Sequence, residues 1–591
     1  MITYHCNYCD IDTEGSECPV CHRRTEVSSQ LYWCPHCNIP TYDEVCSICG
    51  NSGKRFTSDA RPVFPEERLL IEIIQGKPLA YINNSVWNGS GNRYYVNGEK
   101  IEVSVSKLDT YDVDSIIEQI KNYQLQNSYT EFYKATERWV CANAQRYHYI
   151  TTEAKQYIRH FSEKYINDGK CAGFVSFSGG KDSTVVSDLV RKALSDPTII
   201  HIFGDTTLEF PYTQTYIKRF RKNNRKTPLL VAKNTEQDFY NLCETLGPPS
   251  QLLRWCCTIF KTGFIGDRIK KTFKDGSVLA FYGIRRSESA SRNSYERSST
   301  GEKIRRQQVA SPIIDWLDFD IWLYLLTTKI DFNEAYRLGF TRVGCWCCPN
   351  NSLWSQFLSA IYMPEETKRF YDILYRFAVK TGKRDPEDYV TSGGWKARKG
   401  GAGMELSKNV AIDFKPCATD AMSFNYILNK PITKELYEFF KPFGKLNFEM
   451  GKARLGEVYI LDSKTGIPLM KLQGRLGTDE LRISILNRPI AGRKKTVEIE
   501  LKFKCQITKY QLCMGCHACE NICQFGAIRL SKRGTSDSDY EYLIDEEKCK
   551  HCFKCINHYD GGCYMRRVLL PRGKGYSGNE RADEKGQVKR K

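Results

Sequence analysis

Phe177-Ser178-Gly179-Gly180-Lys181-Asp182-Ser183-Thr184 follows an apolar run at 172–177 and precedes a segment in which Val185, Val186, Leu189 and Val190 recur at helical spacing. The order reads strand, glycine-rich turn, helix. A turn of that kind presents backbone N–H groups and a helix N-terminus to an anion. Gly179 and Gly180 let the backbone come close to it, and Lys181 adds a fixed positive charge. The glycines and the lysine lack the Walker A spacing, so the stretch predicts an anion site of another kind.

Further apolar runs at 198–204, 229–232 and 278–282 alternate with helical segments. That alternation predicts a parallel, doubly wound α/β sheet. Ligands of such sheets sit beyond the carboxyl ends of the strands. The 178–183 turn, Asp205 and Gly283-Ile284-Arg285-Arg286 all fall at such ends, so they are expected to converge.

SGGKDS at 178–183 resembles the PP-loop, which holds the phosphates of ATP or related adenine nucleotides. Four stretches extend the likeness over about 180 residues: SFSGGKDS at 176–183, FGDTTLEFPYT at 203–213, YGIRRSESASR at 282–292 and SPIIDWLDFDIWLYL at 311–325. Together they resemble the phosphoadenylyl-sulfate (PAPS) reductase family, within the adenine-nucleotide α-hydrolase-like group. The resemblance implies that Ser178, Gly179, Gly180, Lys181, Asp182, Ser183, Asp205 and Thr206 lie along the nucleotide. It implies phosphate and sulfate-side contacts from Gly283, Arg285, Glu288, Ser289 and Arg292, with Lys181, Asp182, Arg285 and Arg292 as the catalytic set. Arginine suits such oxyanions because its guanidinium forms bidentate, charge-assisted hydrogen bonds.

Cys256-Cys257, followed at a distance by Cys345-x2-Cys348, resembles the [4Fe–4S] signature of assimilatory adenylyl-sulfate (APS) reductases. Cys347 is a fifth candidate ligand, and zinc or a free thiol pair are the alternatives. Two departures from the family stand out. The nucleophilic cysteine of a C-terminal Glu-Cys-Gly-x-His motif, used by the thioredoxin-dependent reductases, is not found in this sequence. An intact SGGKDS is also typical of relatives that cleave ATP to AMP and pyrophosphate.

At 591 residues the chain has room for about three to five domains. Its 41% hydrophobic and 26% charged residues are those of a soluble globular protein. Without a long apolar run or an N-terminal signal pattern, a cytoplasmic protein with no membrane span is expected. The 26 cysteines sit mostly in Cys-x-x-Cys pairs, which favours metal binding in a reducing compartment over disulfides. The formal charge of +18 falls to about +8 once 20 cysteines are counted as thiolates on two zinc ions and three cubane clusters. A basic surface remains, and with it nucleic acid as a candidate partner.

Residues 1–57 contain Cys6-x2-Cys9-x8-Cys18-x2-Cys21 and, shifted by 28, Cys34-x2-Cys37-x8-Cys46-x2-Cys49. Two Cys-x-x-Cys turns complete one tetrahedral zinc site, so tandem zinc ribbons are expected, closed and structural. His5, His22 and His36 are surplus to them. Residues 58–128 read as a small β module, either a barrel of the PUA type or a plain spacer. A strand is expected at 79–82 and a hairpin at 94–101 around Asn97-Gly98. Residues 129–168 read as core-facing helices with Cys141 as buried filler. Residues 169–350 form the catalytic domain and 351–440 a helical extension. Within the extension, 392–401 is a glycine-rich basic loop, either solvated or closing over an anionic substrate. Residues 441–504 alternate in strand fashion (Val458, Ile460, Leu469, Leu472, Val497, Ile499, Leu501) and predict a β-rich connector.

Residues 505–575 carry Cys513-x2-Cys516-x2-Cys519-x3-Cys523 and Cys549-x2-Cys552-x2-Cys555-x7-Cys563. They resemble the bacterial two-cluster ferredoxins, in which the fourth cysteine of each run ligates the other cluster. That pattern implies one [4Fe–4S] cluster on Cys513, Cys516, Cys519 and Cys563, and another on Cys549, Cys552, Cys555 and Cys523. Gln524 replaces the usual proline, and the last spacing is longer. Cys505 is spare, and 576–591 read as a disordered tail.

Two functions follow. One is reduction of PAPS or APS to sulfite, with electrons passing from an external donor through the ferredoxin clusters. The other is an ATP pyrophosphatase, with Mg²⁺, that thiolates RNA or DNA.

Overall fold

Phe174, Val175 and 278–281 are almost wholly buried, which is what strands covered on both faces require. The computed structural model describes residues 3–6, 9, 11–13, 18–21, 26–103, 108, 110–123, 129–167, 171–273, 277–288, 292–300, 307–401, 404–487, 493–533, 540–559 and 562–570. The described residues divide into two units. The first draws on Met1–Ala232, Arg268–Glu302 and Arg306–Lys368, the second on Lys233–Asp267 and Arg369–Lys591.

The six-stranded sheet of the first unit runs in the order Leu229–Lys233, Ile200–Asp205, Cys171–Ser176, Ser277–Phe281, Gln307–Ala310, Ser298–Thr300. Cys171–Ser176 pairs in parallel with Ile200–Asp205 on one side and with Ser277–Phe281 on the other. Gln307–Ala310 continues the parallel set, and the edge strand Ser298–Thr300 is antiparallel. The chain thus moves outward from Cys171–Ser176, then returns to its other flank. The reversal opens a crevice at the carboxyl ends of Cys171–Ser176 and Ser277–Phe281. The helix Lys181–Leu194 covers the sheet with Val185, Val186, Leu189 and Val190, all fully buried.

The second unit holds an antiparallel sheet in the order Asp413–Pro416, Ser423–Ile427, Glu480–Ile485, Pro468–Gln473, Glu457–Leu461, Lys445–Asn447. It also holds the hairpin Ile528–Lys532 with Tyr540–Ile544. The helix Arg493–Leu512 buries Phe503, Ile507 and Tyr510 among Phe439, Phe440, Phe443 and Tyr542.

Four local expectations are corrected. The alternation of Val497, Ile499 and Leu501 is helical: Val497 and Leu501 face solvent, and the buried side recurs at 503, 507 and 510, every three to four residues. Residues 79–82 are turns; the strand Val86–Gly89 does the pairing, with Ala60–Pro62 and Arg93–Val96 as neighbours. The Asn97-Gly98 hairpin forms, with φ of 50° and 86° at its two turn residues. Cys141 is exposed, not buried filler. The basic loop folds inward: Trp395 and Arg398 are buried, and the Arg398 guanidinium donates to the carbonyls of Gly400 and Gly247. The tail at 576–591 lies outside the described residues. No described helix is long and apolar enough to cross a membrane.

Candidate functional site

The turn after Cys171–Ser176 is held by its own side chains. Gly179 has φ +73°, a left-handed conformation that favours glycine. The Ser178 N–H donates to Ser183 Oγ at 3.2 Å, and Ser183 Oγ donates to the Gly180 carbonyl at 2.9 Å. Asn333 donates to the Gly179 carbonyl, and the Lys181 N–H donates to Tyr336 Oη at 3.0 Å. Gly283 closes the opposite wall: a Cβ there would stand 2.8 Å from the Ser183 nitrogen, so only glycine lets the chain after Ser277–Phe281 meet the first turn of the helix Lys181–Leu194.

Charge is concentrated in this crevice. Lys181 Nζ donates to the Thr341 carbonyl at 3.2 Å and lies 3.3 Å from Asp318 and 3.4 Å from Asp182. The Arg285 guanidinium joins Asp182 at 2.5 Å and Asp318 at 2.6 Å. Burial works against the charge on Lys181, but Asp182 and Asp318 outweigh it and hold its pKa above the ordinary value. Burial likewise opposes the Asp318 charge, yet Lys181 and Arg285 bring its carboxyl down to about 2. Asp182 is depressed in the same way, by Arg285 first and Lys181 second. Behind them, Asp59 accepts the N–H groups of Asp318 and Phe319, both at 2.9 Å, at the start of the helix Asp318–Thr328. Burial, reinforced by Asp318, pushes Asp59 up to about 7.

The sequence-predicted residues distribute as follows. Ser178, Gly179, Gly180, Lys181, Asp182, Ser183, Gly283 and Arg285 come together. Asp205 ends the neighbouring strand and accepts from the Thr207 N–H at 2.9 Å. Thr206 donates to Glu209 at 2.6 Å, and its Oγ1 stands 3.5 Å from the Cys345 sulfur. Arg292 pairs with Glu288, and burial together with Arg342 lowers its pKa. Ser289 lies outside the described residues. Asp318, Tyr336, Asp59 and Glu209 carry no sequence-stated role. Asp318 was reachable through the 311–325 stretch, and Glu209 through 203–213. Asp59 and Tyr336 have no sequence signal, since their partners lie far along the chain.

The sulfurs of Cys34, Cys37, Cys46 and Cys49 lie within 4.8 Å of one another, and those of Cys9, Cys18 and Cys21 form a second group. The side chain of Cys6 is not described. Burial pushes the Cys37 thiol up, while the Asn51 N–H holds Cys49 down to about 6. Four sulfurs converging within 4.8 Å fit one tetrahedral zinc ion.

In the second unit, burial and mutual repulsion with Cys519 and Cys563 push Cys513 up to about 12, and Cys563 is raised to about 11 by burial and Cys519. Cys516 is driven up by the same causes. Cys523, Cys549, Cys552 and Cys555 line one cavity with Phe525, Phe553 and Pro442. Cys523 therefore crosses from the first run to the second set, and Cys563 stands with the first. Two sets of four thiols, with Cys519 and Cys563 buried and Cys552 at the surface, suit cationic iron–sulfur cores.

Cys256 and Cys257 also belong to the second unit, and Cys345, Cys347 and Cys348 to the first. The segment that follows the Cys256-Cys257 pair packs on the first cysteine run. Thr258 hydrogen-bonds Tyr564, whose hydroxyl also feels the Cys516, Cys256 and Cys257 charges. A Cβ at Gly263 would meet the His517 Cβ at 3.3 Å and the Cys516 carbonyl at 3.4 Å, and one at Gly266 would collide with Asn521 at 2.4 Å. Phe264 packs on His517, and Gln237 donates to the Met514 carbonyl at 2.8 Å.

Comparison with known proteins places this geometry. Residues 172–351 match the phosphoadenosine phosphosulfate reductase domain, and residues 512–558 match a 4Fe-4S dicluster domain. Two uncharacterized proteins of Methanocaldococcus jannaschii are similar to this chain. One is 31% identical over 51% of this chain and 67% of its own length, the other 29% identical over 51% and 60%. The adenosine 5'-phosphosulfate reductase of Neisseria meningitidis serogroup B is 30% identical over 23% of this chain and 50% of its own length. This chain thus spans between half and about two thirds of the length of these three relatives.

Proposed function

The chain belongs to the phosphoadenosine phosphosulfate reductase domain family and carries a 4Fe-4S dicluster domain, and on that premise we propose that it reduces an adenine sulfonucleotide, PAPS or APS, to sulfite. The observation that carries the reading is the packing of the segment after Cys256-Cys257, from inside the reductase domain, against the Cys516–His517 turn of the dicluster domain. An electron leaving that turn has a packed protein path into the reductase domain.

The chain's own residues do the following. The 178–183 turn and the N-terminus of Lys181–Leu194 receive the nucleotide phosphate. Lys181 and Arg285 exchange part of their pairing with Asp182 and Asp318 for the incoming anion, so charge is already in place when it arrives. Arg292 reaches the sulfate side. Clusters bound at Cys513/Cys516/Cys519/Cys563 and Cys549/Cys552/Cys555/Cys523 supply electrons singly. The sulfur–oxygen bond to the phosphate breaks, the bridging oxygen leaves with the nucleotide, and two electrons from an external donor convert the sulfur(VI) group to sulfite. The ribbons hold zinc at Cys34/Cys37/Cys46/Cys49 and at the set that includes Cys6, Cys9, Cys18 and Cys21.

One observation favours a second reading. Buried Asp182 and half-buried Asp318 place two carboxylates in the crevice, a setting that suits Mg²⁺-ATP and its cleavage to pyrophosphate ahead of sulfur transfer to nucleic acid. The deciding experiment incubates anaerobic, cluster-loaded protein with reduced viologen and PAPS or APS, and in parallel with ATP. Sulfite is the expected product. Pyrophosphate from ATP without sulfite would sink the reductase reading in favour of the second.

A further inference from the structure

The second unit contains a buried cation that the proposed chemistry leaves unused. Lys509, on the helix Arg493–Leu512, is 1% exposed. Its Nζ donates to the carbonyl of Cys555, from the second cysteine set, at 2.8 Å. One helical turn earlier, Cys505 lies against Gly562, the neighbour of Cys563 in the first set; a Cβ on that glycine would stand 2.4 Å from the Cys505 Cβ. The same helix packs on both Lys554–Asn557 and Tyr564–Leu569. Lys509 therefore stands between the two sets, within electrostatic reach of Cys519, Cys555 and Cys563. Among the described residues no carboxylate forms an ion pair with it.

A buried ammonium without a counter-charge is strongly destabilising. Four thiolates on an oxidised cubane leave a net charge of about −2 per cluster, and that is the counter-charge this position provides. A fixed positive charge between two such groups favours the more negative, reduced state of each and screens the repulsion between them.

We propose that Lys509 is the shared counter-ion of both clusters and draws their potentials upward and together, so that each holds one electron at the same time. It acts as a positioning residue, through the clusters. The inference rests on the reading of 505–575 as a two-cluster electron carrier. An external one-electron carrier of low potential fills each cluster in turn, and the two stored electrons equal the pair consumed in forming one sulfite.

The test is an anaerobic redox titration of the full chain, followed by EPR of the reduced clusters, in the wild type, Lys509→Met and Lys509→Arg. In the wild type both clusters are expected to reduce within one narrow window. Lys509→Met, at unchanged iron content, is expected to shift both midpoints to more negative potential and to separate them, while Lys509→Arg keeps both near their wild-type values. Unchanged midpoints in Lys509→Met, or a shift of one cluster alone, would overturn the proposal. If Lys509→Met loses iron, the wild type decides: two widely separated midpoints overturn it, and one shared window sustains it. Iron for fewer than two clusters in the wild-type 505–575 module would instead overturn the two-cluster reading beneath it.

Discussion

Lys181 and Arg285 are both 3% exposed and share Asp182 and Asp318. Arg285 makes the shorter contact to each carboxylate, 2.5 and 2.6 Å, so its loss leaves Asp182 and Asp318 with only Lys181 of the two cations. Arg285→Ala is expected to cost about 3–5 kcal/mol of stability, read from urea unfolding. Lys181→Ala, in contrast, is expected to weaken nucleotide binding at least about tenfold, read by calorimetry, with iron content unchanged. Asp59 gives the crevice a pH signature. Its carboxyl is raised from the ordinary value to about 7, so the folded state binds that proton more tightly than the unfolded chain. The stability it contributes is complete below about pH 4 and is lost as pH rises to about 7. Asp59→Asn should flatten the stability profile across that window in denaturant melts; an unchanged slope would show that Asp59 does not titrate there. Among these residues, Lys181, Asp182 and Arg285 were legible because they belong to contiguous motifs. Asp59 was not, since its role depends on a backbone contact with residues some 260 positions away.

The strand–turn–helix around 177–184 was legible because a buried strand and a covering helix write different periods into the chain. The helix Arg493–Leu512 was not, because alternating charges in 497–502 imitate a strand while the residues that bury the helix begin only at Phe503. The two readings make opposite predictions. With the helix, Phe503→Ala costs about 3–5 kcal/mol and Leu501→Ala less than about 0.5 kcal/mol, measured by denaturant melts. A strand would make Leu501 the costly position. Spacing alone implies the crossed pairing of Cys523 and Cys563 despite Gln524 and the seven-residue gap, and Cys523 lines one cavity with Cys549, Cys552 and Cys555. The short helix Lys554–Asn557 and Gly562, at φ +78°, lie within the longer connection.

For the molecule as a whole, metal content separates the modules. Cys37→Ser is expected to remove about one zinc per chain and leave iron unchanged, measured by elemental analysis. Cys563→Ser is expected to lower iron by about four per chain and leave zinc unchanged. Loss of both metals in either variant would contradict independent sites. Sequence spacing identified these modules but could not tell that the reductase domain lends residues 233–267 to the second unit, because no local pattern marks which neighbour an excursion will join.

That loan bears on how the protein is made. Residues 233–267 leave the ribosome well before the 513–523 turn and Tyr564 that cover Gly263, Gly266 and Thr258. At ordinary synthesis rates of about 5–20 residues per second, the wait is on the order of 15–60 s. During that interval the face around Gln237, Thr258 and Phe264 lacks its final partners Met514, Tyr564 and His517. A nascent chain stalled before the last cysteine run would therefore leave that face uncovered.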